Sequence, residues 1–287
     1  MKLCRYGSIG QERPGVIDGE GRLRDLSPIV RDLGPEQLTP AWRKVLGGVD
    51  PTTLPLVPGA PRLGAPFTGS GKFIAIGLNY VDHAHEAGMA IPTEPVVFMK
   101  PLSCIVGGND DVMQPKNSTK LDWEVELGVV IGSPAQDVGE ADALKYVAGY
   151  CLINDVSERA FQLQSTQWDK GKGCDTFGPI GPWLVTTDDI PDPQSLDLWL
   201  DVNGAPMQRG NTRTMIFGVA QIVSYLSRYM TLHSGDVICT GTPPGVGMGK
   251  KPIPIWLKPG DAVTLGIDGL GEQRQKVVPW ARTVGLL

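Results

Sequence analysis

The chain has 287 residues, 41% hydrophobic and 20% charged, with 26 Lys and Arg against 31 Asp and Glu for a formal charge of −5. That supplies a sizeable core for one large domain, or for a medium domain with a small partner. The negative balance, with no basic run beyond Lys250–Lys251, speaks against nucleic acid and anionic membranes as partners, and no stretch of about 18 apolar residues marks a membrane span.

Five scattered cysteines without a Cys-x-x-Cys pair argue against a disulfide framework or a zinc–thiolate site. The first residues carry no apolar run of signal-peptide length, so the cytoplasm is the expected compartment. The 37 Gly and 25 Pro are dispersed and point to many turns, hence to a strand-rich architecture.

Residues 1–31 read as short strands and turns. A helical stretch is expected around Pro40–Leu46, followed by a passage with prolines at 51, 55, 58, 61 and 66 that reads as an extended connector. A boundary is placed there, giving a small N-terminal domain (1–66) and a larger one (67–287). From Lys72 the pattern predicts a buried strand over Phe73–Gly77, a short helix over Val81–Ala87 closed by Gly88, and a strand over Val96–Met99. A long strand over Leu121–Ile131, another over Tyr146–Asp155, and a helix over Ser157–Gln167 follow. Leu198–Gly204 reads as strand then hairpin turn, and Thr214–Tyr229 as the clearest helix. Val237–Thr240 and Val263–Ile267 are expected strands. The sum is a strand-dominated α+β fold.

Five constellations suit chemistry. In a strand over Asp122–Val130, Asp122, Glu124 and Glu126 share one face while Trp123, Val125, Leu127 and Val129 share the other. Stacked carboxylates repel, and a hard divalent cation with oxygen ligands relieves that; a solvated outer face of an edge strand has the same alternation. Asp155, where an apolar strand ends, suits a third oxygen ligand or a helix N-terminus. His83 and Glu86 lie three apart on the predicted helix, the spacing of an imidazole oriented by a carboxylate, or of a polar surface helix. Lys100, Arg159, Lys170 and Lys172 are candidate cations for an anionic ligand, with glycines beside Lys172 for close backbone approach, though any one of them also reads as a solubilising residue. Thr240–Gly247 is a Gly/Pro-rich loop that can offer hydroxyls and N–H groups, without the ending of a nucleotide-binding P-loop.

In order along the chain, Gly77-Leu78-Asn79-Tyr80-Val81-Asp82-His83, Asp122-Trp123-Glu124-Val125-Glu126-Leu127-Gly128-Val129, Asn154-Asp155, Lys172 to Pro182 and Gly235 to Pro243 resemble the fumarylacetoacetate hydrolase family over residues 70–287. The resemblance implies a mixed β-sandwich roll behind a small N-terminal domain, and a homodimer or homotetramer. It implies that Glu124, Glu126 and Asp155 bind Mg²⁺ (or Mn²⁺ or Ca²⁺), that His83 and Glu86 form a water-activating dyad on a segment that acts as a lid, and that Lys172 steadies developing negative charge. Lys100, Arg159, Gln162 and Thr242 match substrate-holding positions. Fumarylacetoacetase itself carries another metal-binding Asp seven residues before the histidine; here that position is Ile76, so three protein ligands are expected. The implied reaction is C–C hydrolysis of a small anionic 2,4-diketo acid, with 2,4-diketo-3-deoxy-L-fuconate or -rhamnonate the favoured substrate. Ureidoglycolate lyase, oxaloacetate decarboxylase and hydroxymuconate-type isomerase are alternatives on the same scaffold, and a non-catalytic sugar-acid-binding protein is the rival of another class.

Overall fold

The computed structural model describes residues 1–88 and 90–282, apart from the side chains of His83 and Ala87. Its N-terminal part contains β1 (Lys2–Tyr6), β2 (Arg13–Ile17), β3 (Leu23–Asp25) and α1 (Pro40–Gly47). Then come β4 (Phe73–Gly77), α2 (Val81–Ala87), β5 (Val96–Met99), β6 (Ile105–Gly107), β7 (Val112–Met113), β8 (Leu121–Asp122) and β9 (Val125–Ile131). The middle holds α3 (Glu140–Ala143), β10 (Val147–Asn154), β11 (Ser157–Glu158), α4 (Arg159–Gln162), α5 (Asp169–Lys172) and β12 (Gly178–Thr186). The chain ends with β13 (Asp197–Val202), β14 (Ala205–Asn211), α6 (Val219–Tyr229), β15 (Val237–Cys239), β16 (Ala262–Ile267) and β17 (Gly271–Val278).

The expected strand-dominated α+β architecture is present. One large mixed sheet runs β3-β2-β1-β12-β10-β9-β15-β4-β5, with β6 parallel to β12. A second sheet, β14-β13-β16-β17-β7, packs across β9, β10 and β12. Both faces of β9 and β10 are consequently buried, and apolar residues from Leu3 to Val277 form one continuous core. The two sheets are also joined by buried amides: Gln273 donates to Leu152 O and Gly181 O, and Gln275 donates to Gly108 O while accepting from Asn154. The N-terminal hairpin continues the large sheet, because β1 pairs with β12.

Local signals set several elements as read. Gly88, at φ 66°, closes α2 in the left-handed region that glycine reaches without strain. The Asn203-Gly204 turn between β13 and β14 has positive φ at both residues, the twist a two-residue hairpin needs. All five cysteines are free thiols. No helix among the described residues is long and apolar enough to cross a membrane.

Three expectations need correction. The strand predicted over Leu121–Ile131 is broken at Trp123–Glu124. There the backbone N–H groups are taken by side chains: Trp123 donates to Asp122 Oδ1, Glu124 to Asn154 Oδ1 and Val125 to Gln208 Oε1. The helix predicted over Ser157–Gln167 is a two-residue strand, β11, followed by the single turn α4, since β11 pairs with β8. The last long helix begins at Val219 rather than Thr214, because Thr212–Thr214 forms a separate 3-10 turn capped by Asn211.

Candidate metal centre

The break after β8 is what builds the site. Asp155 N donates to Glu124 O, tying the end of β10 to the turn before β9, and Ile153 lies opposite Glu126. Glu124 and Glu126, two residues apart, are thereby brought beside Asp155. Oxygens of the three carboxylates lie within 4.8 Å of one another. They are 5%, 2% and 1% exposed, which excludes the solvated outer face that periodicity alone allowed. Asp122, on the expected face, is buried too but turns elsewhere: it accepts from Gly247 N at 2.6 Å and Met248 N at 3.1 Å, and pairs with Arg159.

Buried charge of this density needs compensation. Lys172 Nζ lies 2.6 Å from both Glu124 Oε2 and Asp155 Oδ2, and Lys100 Nζ lies 2.5 Å from Asp155 Oδ1 and also donates to Lys172 O. Arg159 clamps Glu124 Oε1 at 2.6 Å and Asp122 Oδ2 at 2.9 Å, and donates to Gln162 Oε1. Burial is the largest influence on the Lys100 ammonium and would lower it, but Asp155 with Cys104 and Cys239 together outweigh it and the group is pushed up; Arg159 is likewise held charged by Glu124 and Asp122 against the cost of burial. Three cations thus face four carboxylates.

Glu126 is the carboxylate without a cation partner among the described residues. Its Oε2 accepts from Gly241 N at 2.7 Å. Burial, then the charges of Asp155 and Glu124, push its carboxyl well above the usual range, against the pull of Lys172 and Gly241 N–H. Gly241 is required there on two counts: its φ is +95°, and a Cβ would sit 2.7 Å from Asn79 Cβ. The hydroxyl of Thr242 donates to Val125 O and accepts from Gln208, so it stitches the loop to β9.

Three oxygen donors at this spacing suit a hard divalent cation such as Mg²⁺ or Mn²⁺, whose neighbouring octahedral ligand oxygens are about 3 Å apart and opposite ones about 4.2 Å. Such an ion competes with Lys172 for Glu124 and Asp155, and with a proton for Glu126. The pH dependence follows. A Glu whose folded pKa is raised favours folding at low pH and loses that contribution as pH rises from the ordinary glutamate range toward the folded value. Metal removes this loss, and below it must first displace the proton. The rise in thermal midpoint on adding Mn²⁺ should therefore be larger at pH 8 than at pH 5.5 in differential scanning fluorimetry; an equal or smaller rise would contradict the assignment.

The structure brings together Glu124, Glu126, Asp155, Lys100, Lys172, Arg159 and Gln162. Arg159 binds Glu124 and also donates to Gln162, while Thr242 donates to Val125 O of β9. Glu86, on α2, docks onto the loop after β15, both carboxylate oxygens accepting from Gly245 N at 3.1 and 3.0 Å. His83 lies on α2, but its side chain falls outside the described residues. The glycines beside Lys172 do not open space for a ligand: a Cβ on Gly171 would strike the Gln162 backbone and one on Gly173 the Pro101 ring, so both serve close packing of the chain. Asn79 is a residue the expectations missed. Its amide accepts from Phe217 N and donates to Phe217 O and Thr240 O, locking the entry to α2 against the Gly241 loop.

A fumarylacetoacetate hydrolase C-terminal model matches residues 72–278. A curated relative from Burkholderia multivorans, described as a hydrolase, is 64% identical over 276 residues, 96% of this chain and 98% of its own. Among solved structures, fumarylacetoacetate hydrolase from Exiguobacterium antarcticum is 37% identical with a TM-score of 0.88. A 2-hydroxyhepta-2,4-diene-1,7-dioate isomerase from Mycobacterium marinum is 35% identical at 0.75, and maleylpyruvate hydrolase from Sphingobium sp. SYK-6 is 29% identical at 0.81. Each of these three comparisons covers 98% of this chain and all of the other.

Proposed function

The chain belongs to the fumarylacetoacetate hydrolase family, and on that premise we propose that it is a divalent-metal-dependent hydrolase that cleaves the C3–C4 bond of a 2,4-dioxo acid and releases pyruvate. The observation that carries this reading is the buried trio Glu124, Glu126 and Asp155 with Lys172 against two of its members. The relatives' chemistry, hydrolysis of maleylpyruvate in one and isomerisation of a dienedioate in another, belongs to the same group of oxo acids.

Glu124, Glu126 and Asp155 would hold the ion. A bound divalent cation supplies Lewis acidity toward the carboxylate and 2-oxo oxygens of the substrate. His83, paired with Glu86, takes a proton from water, and the hydroxide attacks C4. The C3–C4 bond breaks and its electron pair passes to C3, giving the enolate of pyruvate. Lys172 and Lys100 stabilise that negative charge, and a proton returned to C3 completes pyruvate. One water is consumed, and the acyl end leaves as a carboxylic acid. Arg159 and Gln162 keep Glu124 in place.

A second reading, isomerisation through the same enolate, is favoured by the whole-length likeness to the Mycobacterium marinum isomerase. The test is pyruvate release from a panel of 2,4-dioxo acids, comprising acetylpyruvate, maleylpyruvate and 2,4-diketo-3-deoxy-L-fuconate, with Mg²⁺ and with EDTA. Metal-dependent release of pyruvate is expected. Shifted absorbance of a dienedioate without pyruvate from any substrate would favour the isomerase.

A further inference from the structure

Two carboxylates from different elements bind one short loop, residues 245–249. Glu86 of α2 accepts from Gly245 N through both oxygens, and a Cβ on Gly249 would strike its carboxylate. Asp122, at the end of β8 and 0% exposed, takes the middle of the loop. Its Oδ1 accepts from Gly247 N at 2.6 Å and its Oδ2 from Met248 N at 3.1 Å. A Cβ on Gly247 would strike Asp122 Oδ1 and Ile255 O, so this fit requires glycine. The indole of Trp123, the next residue, donates to Gly245 O.

Asp122 is not a member of the carboxylate trio, yet a single side chain joins it to one. Its Oδ2 also accepts from Arg159 Nε at 2.9 Å, and Arg159 Nη2 donates to Glu124 Oε1 at 2.6 Å. The guanidinium is 2% exposed as part of its residue, planar and rigid, so moving Asp122 turns the edge that it offers to Glu124. Charge-assisted bonds of this kind are strong and directional. They run without a gap from α2, which carries His83, through the loop and Asp122 to a carboxylate of the proposed metal centre.

We propose that Asp122 is a positioning residue that couples the docking of α2 to the placement of Glu124. Binding of the ion then settles the helix that bears the proposed base, and docking of that helix tightens the ion, since such linkage is reciprocal. The inference deepens the proposed function and rests on it for the ion and the base, so one arm of its test needs neither metal nor substrate. Asp122→Asn keeps the size of the side chain and removes its charge. In the metal-free variant, hydrogen–deuterium exchange read by mass spectrometry should be faster than in wild type across α2, with β10 unchanged. Because Asp122 binds the loop and Arg159, faster exchange in α2 reports transmission through the loop. In the second arm, calorimetric titration, Glu86→Gln should weaken Mn²⁺ binding about fivefold or more in the wild-type background. The same change should alter binding less than about twofold in the Asp122→Asn background. Unchanged exchange in α2, or losses of affinity that simply multiply as for two independent structural residues, would overturn the proposal. Should Asp122→Asn not fold, Glu86→Gln decides alone, and wild-type Mn²⁺ affinity in that variant would overturn it. If the wild type binds no Mn²⁺, the proposed metal chemistry fails while the exchange arm still decides the coupling.

Discussion

Lys172→Met is expected to destabilise the metal-free protein by about 3–5 kcal/mol, the range for removing one partner of a buried ion pair. Lys172 is 3% exposed and its ammonium lies 2.6 Å from both Glu124 and Asp155. Methionine fills much the same volume, so the loss is of charge more than of packing. Both carboxylates then stay buried with one cation fewer, and they repel each other and Glu126. For a chain this size the thermal midpoint should drop by roughly 5–15 °C. Divalent metal should recover much of it, since a cation returns to the same oxygens, and should bind more tightly than to wild type because the competing ammonium is gone. Turnover should nonetheless remain low, since the group proposed to steady the departing enolate is absent. Calorimetric unfolding with and without Mn²⁺ checks this; a variant as stable as wild type without metal would show that Lys172 is not the internal counter-ion.

Glu126→Gln is expected to act in the opposite sense on stability and the same sense on activity. In the metal-free protein the Glu126 carboxyl is pushed up by burial and by its acidic neighbours, so a neutral amide of equal shape costs little and can stabilise. Its oxygen can keep the bond from Gly241 N. The proposed metal ligand is lost, however, and with it Lewis-acid stabilisation of several kcal/mol, so kcat/KM should fall by about 10³ or more. Loss of activity with retained or raised thermal midpoint separates a functional carboxylate from a structural one. A near-normal rate would remove Glu126 from the site.

The contrast between these two substitutions shows which parts of the site the sequence makes legible. Elements set by neighbours in the chain were readable: Val96–Met99 from its β-branched run, α2 from the spacing that ends at Gly88, and the β13–β14 turn from Asn203-Gly204. The carboxylates were readable as a group because Glu124 and Glu126 lie two apart in an alternating pattern and Asp155 follows an apolar run. Their burial was not, because it depends on Lys172 and Lys100, which reach Asp155 from 17 and 55 residues away. The break at Trp123–Glu124 was hidden for the same reason. Its N–H groups are satisfied partly by Asn154 and Gln208, at separations of 30 and 83 residues, and no local periodicity reports that. The glycines around Lys172 carried a signal that was read with the wrong object: close approach was needed, but to Gln162 and Pro101.

The account stands on a divalent ion bound by Glu124, Glu126 and Asp155, and calorimetric titration of Mn²⁺ into the metal-stripped protein at pH 8 tests it most directly. One equivalent should bind to wild type, and that binding should be lost in Glu126→Gln while the variant stays folded. Equal binding by the two proteins, or none by wild type, would contradict it.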